Sequence, residues 1–507
     1  MYSNIYVISP LTLSKLRSGL QSPVSTNSED MSTEKSPLFR VVSKPRKAKS
    51  SKSLLMALGA AAALVTVGVT TYARPSVMTA ANHSLVQDLS VIDPAFCDVT
   101  RQQSGYIQLP HKVDDHYFYW FFESRGNPET DPLVLWLTGG PGGSSMFALL
   151  HENGPCTIDA NLTTVTNPYS WTNHANVIWL DQPTGVGFSY STSKHDEDHT
   201  EVDVGRNIYG FLQGFLKKNP KFKHHPFFIT GESYGGHYVP AAAHYLLMTP
   251  VGDEDVEINL QGIAVGNGLT DSVTQIPHTL AMVNNAYNVT LVAPERLADL
   301  QLASAAVATL VEACQDPALE DAACREALYG WSNELLFELA GHSKRNPYDI
   351  RQDCSRGCDD AFEHVRAFLN SPAVQAKLRV QKRWEEMNRA VAQGFAVDFM
   401  KNYVQFVPDL LAKNVRVLVY AGDADLMCNW VGNEAWTKKL DWPGHAAFNA
   451  AAVTPLMVAG ATAGEVRSTR DLSFVRVFNA GHMVPSDQPQ VALTLINRFF
   501  QNAPLDA

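Results

Sequence analysis

Residues 226–240, PFFITGESYGGHYVP, predict a buried strand, a sharp turn and the start of a helix, with a serine at the turn. Ser233 stands at the centre of the pattern Gly231-Glu-Ser-Tyr-Gly235. This is the G-x-S-x-G nucleophile elbow, in which small residues let the backbone turn tightly enough to present a serine hydroxyl above a sheet. A five-residue pattern also occurs by chance, so an ordinary strand-to-loop turn stays an alternative until partner residues are found elsewhere.

Apolar runs of strand length recur on both sides of this turn. They are residues 117–124, 133–137, 177–180, 227–230, 260–265, 415–421 and 474–478. Helical patterns separate several of them, and this alternation predicts an α/β fold with a mostly parallel central sheet and helices on both faces. Residues from about 275 to 345 break the alternation with an Ala/Leu-rich helical character. That segment predicts a helical cap inserted over the carboxyl end of the sheet.

A serine nucleophile needs a histidine base and an acid that orients the base, and in hydrolases of this architecture they follow in the order Ser, Asp, His. The run 417–425, VLVYAGDAD, is a buried strand ending in Asp423 and Asp425. The run 474–485, FVRVFNAGHMVP, is a second strand whose end delivers His482. A single Asp or His in a loop would not indicate catalysis. Three strand ends that carry Ser, Asp and His in this order favour a catalytic site.

An oxyanion hole requires backbone N–H groups that no side chain obstructs. The glycine loop, residues 139–143 with the sequence GGPGG, follows a strand and provides such groups, with Gly140 as the first donor. The N–H of Tyr234, immediately after the nucleophile, is the second. A phosphate-binding loop is the alternative reading, but the Lys-Ser/Thr ending and helix start of that motif are missing.

Charge is unevenly distributed along the 507 residues, whose net charge is −11. Residues 1–52 carry nine Lys/Arg and three Asp/Glu, a net charge of +6, which leaves −17 for the rest. We expect this first segment to be basic, disordered and cytoplasmic, and the acidic remainder excludes a basic nucleic-acid-binding body.

Residues 53–72, SLLMALGAAAALVTVGVTTY, are uncharged and long enough to span a bilayer, with the basic flank 44–52 on the cytoplasmic side. A signal anchor is favoured over a cleaved internal signal sequence, and both place the chain after about residue 75 in a lumen or outside the cell. A buried helix of a soluble protein is the third reading. The anchor would make this a single-pass type II membrane protein.

Sequons and cysteines agree with a luminal location. N-x-S/T sequons lie at Asn82, Asn161 and Asn288. Seven cysteines fit an oxidising compartment, and three pairings are open to them: Cys354 with Cys358, Cys314 with Cys324 and Cys97 with Cys156. Cys428 is then left as a free thiol.

Beyond these features, a set of ordered motifs resembles the serine carboxypeptidases of the carboxypeptidase Y and cathepsin A type. The motifs are residues 136–145 WLTGGPGGSS, 152–155 ENGP, 168–171 PYSW, 180–183 LDQP, 185–190 GVGFSY, 231–235 GESYG, 266–268 GNG, 348–351 YDIR, 420–425 YAGDAD and 481–485 GHMVP. The resemblance covers residues 90–503 and implies an α/β-hydrolase catalytic domain over residues 90–507. It also implies Ser233, Asp425 and His482 as the triad, because the second aspartate of the G-D-x-D run is catalytic in that family.

The same resemblance implies residues that bind the substrate. They are Trp136, Thr138, Gly139, Glu152 and Glu232 for the free carboxylate, Tyr348 and Met483 for the leaving residue, and Cys428 as a free thiol lining the site. Simple packing is nearly as good a reading of Tyr348 and Met483. Where the family has asparagine this chain has Thr138, whose hydroxyl donates a single hydrogen bond. Where the family has a disulfide, this chain has Gly143 and, near the partner position, Met387.

The predicted function is therefore a serine-type carboxypeptidase that acts through an acyl-enzyme and prefers acidic pH, because two coupled acids must keep a proton to bind a carboxylate. A carboxypeptidase-like acyltransferase and a non-catalytic protective glycoprotein are the alternatives. No cofactor is expected, and no metal-ligand spacing is present in the sequence. The expected location is the secretory-pathway lumen, as in a lysosome or vacuole, or the cell exterior.

Overall fold

A computed structural model describes residues 86–88 by their backbone, and residues 96–358 and 362–506. The predicted basic segment 1–52, the predicted anchor 53–72 and the sequon at Asn82 lie outside the described residues. Within them, sixteen strands are labelled in chain order. The strands are β1 Val86–Asp88, β2 Gln102–Gln108, β3 Asp115–Phe122, β4 Leu133–Thr138, β5 Cys156–Ile158, β6 Thr164–Thr166, β7 Asn176–Leu180, β8 Tyr190–Ser191, β9 Phe227–Glu232, β10 Leu260–Gly266, β11 Arg345–Asn346, β12 Asp349–Asp353, β13 Arg416–Gly422, β14 Val453–Val458, β15 Ala461–Ser468 and β16 Leu472–Val477.

Twelve of these strands form one mixed sheet in the order β1-β2-β3-β7-β4-β9-β10-β13-β16-β15-β14, with β8 beside β3, and β5 with β6 and β11 with β12 form two small two-stranded sheets. From β7 to β16 neighbouring strands run parallel, whereas both margins of the sheet are antiparallel. The central strands are almost wholly buried, as expected for continuous apolar runs covered on both faces. The α/β prediction with a mostly parallel sheet is confirmed, and the antiparallel margins are an addition that the sequence reading did not include.

Helices cover the sheet on both sides. They are α1 Ser145–His151, α2 Glu201–Lys218, α3 Gly235–Met248, α4 Ser272–Gln275, α5 Leu297–Cys314, α6 Glu320–Tyr329, α7 Glu363–Leu369, α8 Pro372–Leu378, α9 Arg389–Gly394, α10 Val407–Ala412, α11 Trp430–Lys439, α12 His445–Ala450, α13 Val484–Asp487 and α14 Pro489–Phe500. Short 3₁₀ turns are Trp171–Asn173, Lys194–Asp196, Pro220–Phe222, Ile276–Val283, Pro294–Arg296, Asp398–Met400 and Val404–Phe406, and Gly330–Gly341 is a π-helix.

The pleat of β4 shows how the two faces are divided. Leu133, Leu135 and Leu137 join the apolar cluster that contains α2 and α3. Val134 and Trp136 point the other way, into the cluster that contains α1 and α14. Alternate residues of a strand point to opposite faces, so one apolar run serves two cores.

Helical structure fills the segment predicted as a cap. Helices α4 to α6 and the π-helix Gly330–Gly341 lie between β10 and β11, and the disulfide Cys314–Cys324 joins α5 to α6. Among the described residues, the stretch Pro294–Cys314 is long and apolar enough to cross a membrane by length and composition alone. Its α5 part buries Leu300, Val307 and Val311 in the core cluster around α2 and α3.

Three disulfides are present, and they are the pairings considered in the sequence. They join Cys97 to Cys156, Cys314 to Cys324 and Cys354 to Cys358. The first ties the segment before β2 to β5, and the other two close short local loops. Cys428 is the free cysteine, and it is buried.

Candidate active site

Ser233 lies at the turn between β9 and α3, where the nucleophile-elbow pattern predicted it. Its φ is 64°, a left-handed conformation that costs energy for a residue with a side chain. Two backbone bonds hold the turn: Ser233 N donates to Gly266 O at 3.1 Å, and Gly236 N donates to Ser233 O at 2.9 Å. The serine is half-buried while both its neighbours are buried. The strained turn therefore presents one hydroxyl at the carboxyl edge of the sheet.

Asp425 and His482 meet next to this edge. The Nδ1 atom of His482 lies 2.8 Å from Oδ2 of Asp425, and both side chains are buried. The carboxylate also accepts from Met427 N at 2.9 Å and Cys428 N at 3.1 Å. A carboxylate with this many donors is fixed in one orientation, and it fixes the imidazole so that Nε2 is left to exchange a proton.

Asn267 is a further partner of Asp425 to which the sequence reading assigned no role. Its Nδ2 donates to Asp425 Oδ2 at 2.8 Å, and its Oδ1 accepts from Gly422 N at 3.0 Å. Asn267 follows β10, the strand between those that carry Ser233 and Asp425. The signal was available, since an asparagine in a Gly-Asn-Gly turn at the end of a central strand lies on the rim where the site is built.

The neighbouring Asp423 has different partners. It accepts from the phenol of Tyr287, from Asn479 N at 3.0 Å and from Nη2 of Arg476 at 3.3 Å. These contacts tie the end of β13 to the loop after β16 and to the cap. The two aspartates of the G-D-x-D run thus have different contacts, and Asp425 is the one hydrogen-bonded to His482.

The glycine loop lies directly against the elbow. A Cβ on Gly139 would be 2.3 Å from Tyr234 N and 2.9 Å from Ser233 Cβ. No side chain fits that distance, so Gly139 is required for the loop to approach the nucleophile. Gly140, the predicted first oxyanion donor, has φ of 124°. The loop backbone at Gly139 therefore lies next to the N–H of Tyr234 and the side chain of Ser233.

Asp181 anchors the end of the glycine loop, a role that the sequence reading missed. Its Oδ1 accepts from Ser144 Oγ at 2.5 Å and from Ser145 N at 3.1 Å, and its Oδ2 accepts from Phe188 N at 2.8 Å. The buried carboxyl group thus joins the start of α1 to the loop after β7. Its position in the Leu-Asp-Gln-Pro run directly after a central strand was the available signal.

Backbone pairing spans the two positions where the related family has a disulfide. Gly143 and Met387 face each other in an isolated antiparallel bridge. Flanking bonds run from Ser144 N to Glu386 O at 3.0 Å and from Asn388 N to Gly142 O at 2.9 Å. A Cβ on Gly143 would approach Gly139 O to 2.8 Å and Thr138 Cγ2 to 3.3 Å. The strand pairing that a disulfide would cross-link is therefore present without the sulfur bridge.

Glu152 and Glu232 form a buried acid pair beside the nucleophile. Their carboxyl groups share a hydrogen bond, and the remaining Oε2 of each has no hydrogen-bond partner among the described residues. Burial raises the pKa of Glu152 to about 7. Burial, with the charge of Glu152 second, raises the pKa of Glu232 well above its usual range. The pair holds a proton in acid solution and can donate it as a hydrogen bond.

Thr138 and Trp136 stand at the end of β4 next to the glycine loop. The indole Nε1 of Trp136 donates to Thr138 Oγ1 at 2.9 Å. Because the threonine oxygen accepts in that bond, its own hydrogen remains available to a ligand. Thr138 is half-buried, whereas Trp136 is buried. The threonine can thus supply one donor where asparagine would supply two.

Tyr348 and Met483 are the half-buried members of the predicted set on the histidine side. The ring of Tyr348 packs on His482 with centroids 5.1 Å apart, and His482 N donates to Tyr348 O at 2.7 Å. Met483 follows the histidine directly in the chain. Both are placed to contact a group bound at His482.

Cys428 is expected to be a free thiol that reacts slowly. Burial, followed by the charges of Asp425 and Glu232, raises the pKa of this thiol well above its usual range, so little thiolate is present at neutral pH. Mapping under non-reducing conditions should find it unpaired, and a maleimide should modify it far faster after unfolding. Modification of the folded protein should slow turnover, because Cys428 N bonds to Asp425. The variant Cys428→Ala should lose this sensitivity, and a disulfide at Cys428 would contradict the expectation.

The described residues provide no cluster of side chains suited to a metal ion. Among the residues that the structure describes, no group of three or more His, Cys, Asp or Glu side chains could hold a metal ion. The groups that the site offers for chemistry are a half-buried serine, an imidazole hydrogen-bonded to a carboxylate, backbone N–H groups and an acid pair with raised pKa values.

Known proteins resemble the chain over the residues that build this site. The profile of a family described as serine carboxypeptidase matches residues 94–502. Serine carboxypeptidase 3 of Oryza sativa subsp. japonica is 39% identical over 402 residues, which are 78% of this chain and 79% of that protein. Carboxypeptidase Y of Candida albicans is 39% identical over 409 residues, 79% of this chain and 73% of that protein. The solved structure of Kex1(delta)p, a prohormone-processing carboxypeptidase from Saccharomyces cerevisiae, matches with a TM-score of 0.69 and 25% identity, covering 80% of this chain and 91% of that one.

Proposed function

The chain belongs to the serine carboxypeptidase family, and from that premise we propose that Ser233, His482 and Asp425 cut the last peptide bond of a substrate through an acyl-enzyme. The family and the named relatives show a serine-type peptidase that acts on peptide C-termini, with the α/β-hydrolase fold. The observation that carries the residue assignment is the 2.8 Å contact between His482 Nδ1 and Asp425 Oδ2 at the edge where Ser233 is exposed.

The proposed reaction has two halves. In the first, Ser233 Oγ attacks the carbonyl carbon of the last peptide bond while Nε2 of His482 takes the hydroxyl proton. The N–H groups of Gly140 and Tyr234 bind the oxyanion that forms. The C–N bond then breaks as His482 returns the proton to the leaving amino group. In the second half, a water molecule gives a proton to His482 and attacks the ester carbonyl carbon. His482 then returns the proton to Ser233 Oγ as the C–O bond to the serine breaks and the shortened peptide leaves as its acid.

A separate set of groups recognises the free carboxylate of the leaving residue, at the end opposite the bond that is cut. Glu152 and Glu232 hold one proton between them and donate it, and the hydroxyl of Thr138 donates a second hydrogen bond. Trp136 and the backbone of Gly139 complete this subsite. An exopeptidase must bind that carboxylate, since otherwise internal bonds would be cut as readily. A buried acid pair with an unpaired oxygen on each side supports the role.

Two measurements test this proposal. A fluorophosphonate should label the wild-type protein at Ser233, as located by peptide mapping. Blocked dipeptides with varied residues should release their free C-terminal amino acid. Failure of labelling would contradict the nucleophile, whereas labelling with ester turnover but no amino-acid release would contradict the peptidase assignment.

A pH-dependent KM is expected for substrates with a free carboxylate. The raised pKa values of Glu152, about 7, and of Glu232, well above its usual range, mean that the pair is protonated in acid and begins to lose protons as pH rises through neutrality. Each proton lost removes a donor and adds a charge that repels a carboxylate, so KM for a blocked dipeptide should rise about 10- to 100-fold between about pH 5 and 8. The C-terminal amide of the same dipeptide should show no such rise.

The matched variant for this prediction is Glu232→Gln. A glutamine amide stays neutral and keeps a donor at every pH, and only Glu152 can then ionise, so the rise in the dipeptide's KM with pH should be clearly smaller than in the wild type. A flat KM in the wild-type enzyme, or an unchanged pH dependence in Glu232→Gln, would remove the carboxylate-binding role while leaving the triad untouched.

We also propose that the catalytic domain works in the lumen of the secretory pathway, anchored through residues 53–72. The three disulfides support an oxidising compartment. The sequon asparagines Asn161 and Asn288 are both exposed, as glycosylation requires. Protease treatment of sealed microsomes, combined with endoglycosidase digestion, should show a protected, glycosylated domain. A carbonate wash then separates an anchored chain from a released one.

A further inference from the structure

A second buried acidic cluster lies next to the nucleophile elbow, in contact with the side chain of Tyr234. Its centre is Asp398, in the 3₁₀ turn Asp398–Met400, with 5% of its surface exposed. Oδ2 of Asp398 accepts from the phenol of Tyr234, and Oδ1 accepts from the phenol of Tyr403, both at 2.5 Å. One buried carboxyl group thus holds two tyrosines.

The first of these tyrosines also carries the proposed second oxyanion donor. Backbone and side chain of Tyr234 therefore have separate tasks, the N–H facing the reaction and the phenol facing Asp398. The ring stacks on His237 with centroids 4.3 Å apart, and the imidazole Nδ1 lies 2.5 Å from Leu269 O. Leu269 N in turn donates to Ser233 O at 2.9 Å. The phenol bond is thus part of the packing that sets where the Tyr234 backbone lies.

The second tyrosine connects the same carboxyl group to the rim of the sheet. Tyr403 N donates to Thr270 O at 3.0 Å, just after β10. Its ring lies 4.8 Å from the ring of His237. Asp398 therefore joins the elbow to the segment that follows the cap, and the contact bridges 164 residues of sequence.

Glu201, the first residue of α2, is a buried acid near Asp398 that has no role in the proposed mechanism. It is 2% exposed, and neither of its carboxyl oxygens has a hydrogen-bond partner among the described residues. Burial, then the charge of Asp398, raises the pKa of Glu201 well above its usual range. Burial likewise raises the pKa of Asp398 to about 6, although both phenol bonds oppose that shift.

Other charged groups around the cluster do not neutralise it. Asp203 and Asp198 add negative charge at Glu201, and Asp198 is paired with Lys112 at 2.5 Å. Lys401 faces Asp398, but its Nζ binds Glu320 at 2.6 Å. Burial lowers the pKa of His237 to about 4, which leaves that ring neutral. A second negative charge in the cluster would therefore be opposed only from a distance.

We propose that Asp398 is a positioning residue for the oxyanion hole, acting through Tyr234, and that Glu201 makes this positioning sensitive to pH. The inference rests on the proposed function, since it takes the N–H of Tyr234 as an oxyanion donor. In acid the pair Glu201 and Asp398 holds a proton, and the carboxyl group keeps both phenols in place. As pH rises, Asp398 loses its proton first and Glu201 at higher pH, and the two buried like charges that then face each other push the start of α2 away from the turn at Asp398.

The sign of the effect on stability follows from the same shifts. Acids whose folded-state pKa is raised bind protons more tightly in the folded chain than in the unfolded one. Stability is therefore highest in acid and falls as pH rises through the raised values. The N–H of Tyr234 binds the oxyanion, which exists only in the transition state and the intermediate. Displacement of this donor is therefore expected to change kcat and to leave KM unchanged.

The test uses an ester substrate without a free C-terminal carboxylate, so that Glu152 and Glu232 do not contribute. Asp398→Asn and Tyr403→Phe should lower kcat about 10-fold with KM nearly unchanged, since a displaced donor loses part of the roughly 10²- to 10³-fold that a missing one costs. The matched control is Tyr209→Phe, which removes a tyrosine-to-aspartate bond of 2.9 Å far from the site, to Asp255, and should leave kcat unchanged.

Glu201→Gln tests the pH dependence. Its kcat on the ester should hold to higher pH than that of the wild type, by about one pH unit or more. Profiles of the two enzymes that superimpose would overturn the pH-dependent part. Wild-type kcat in both Asp398→Asn and Tyr403→Phe, or a loss that appears in KM, would overturn the positioning role.

Two readouts distinguish a failure of this inference from a failure of the proposed function. Wild-type protein that is not labelled at Ser233 by a fluorophosphonate would refute the proposed function itself. Labelled, active wild type with unaffected Asp398 variants would refute only the present inference. Circular dichroism melts check folding, and if Asp398→Asn does not fold, Tyr234→Phe, which removes the phenol bonded to Asp398 and keeps the backbone N–H, decides the outcome.

Discussion

Replacing Ser233 with alanine is expected to lower kcat by on the order of 10⁴-fold or more while the protein stays folded. The hydroxyl is the atom that forms the covalent bond in the proposed mechanism, and nothing else in the elbow can replace it. Alanine has the same backbone preference as serine at the observed φ of 64°, so the strain of the turn is unchanged. The side chain is half-buried, and its loss leaves no large cavity.

Measurement of kcat on a blocked dipeptide and on an ester, with fluorophosphonate labelling of both proteins, checks this expectation. Melting temperatures of variant and wild type should agree within a few degrees, since the stability change should be below about 1 kcal/mol. Activity above a few per cent of wild type in a preparation free of contaminating peptidase would show that Ser233 is not the nucleophile.

The second large effect is expected from Asp425→Asn, with a loss in kcat of about 10⁴-fold. The asparagine is isosteric, but its amide can present a donor to His482 Nδ1, where the carboxylate accepts a hydrogen bond from Nδ1–H. The imidazole then takes the wrong tautomer, and Nε2 can no longer accept the proton of Ser233. The loss should appear in kcat, because the substrate-binding groups are unchanged.

Asp423→Asn is the matched control, two positions away on the same strand end. Its carboxylate binds Arg476, Asn479 N and Tyr287, none of which belongs to the proposed triad. Its kcat should stay within a few-fold of wild type at a temperature where both variants are folded, although its melting temperature should fall. The reverse result, with Asp423→Asn inactive and Asp425→Asn active, would exchange the two assignments.

Local pattern was enough to predict much of the fold. The seven apolar runs predicted as strands all form strands of the sheet, because a continuous apolar run of this length is stable only when both its faces are covered. The elbow and the glycine loop were equally visible, since a tight turn and a close backbone approach restrict the residue types at fixed offsets. The antiparallel margins were not foreseen, because only scattered residues of β14 and β15 are buried and neither strand is a continuous buried run.

By itself, then, the sequence determined the class of fold, the position of Ser233 and the end of each strand that carries Asp and His. Tertiary structure decided what depends on partners far along the chain. It separated Asp425 from Asp423, paired Asn267 with Asp425 across 158 residues, and brought Asp398 to Tyr234. It also set the raised pKa of Glu152, because desolvation and a neighbouring acid exist only once the chain is folded around them. Contacts and burial are properties of the packed chain, and no local pattern encodes them.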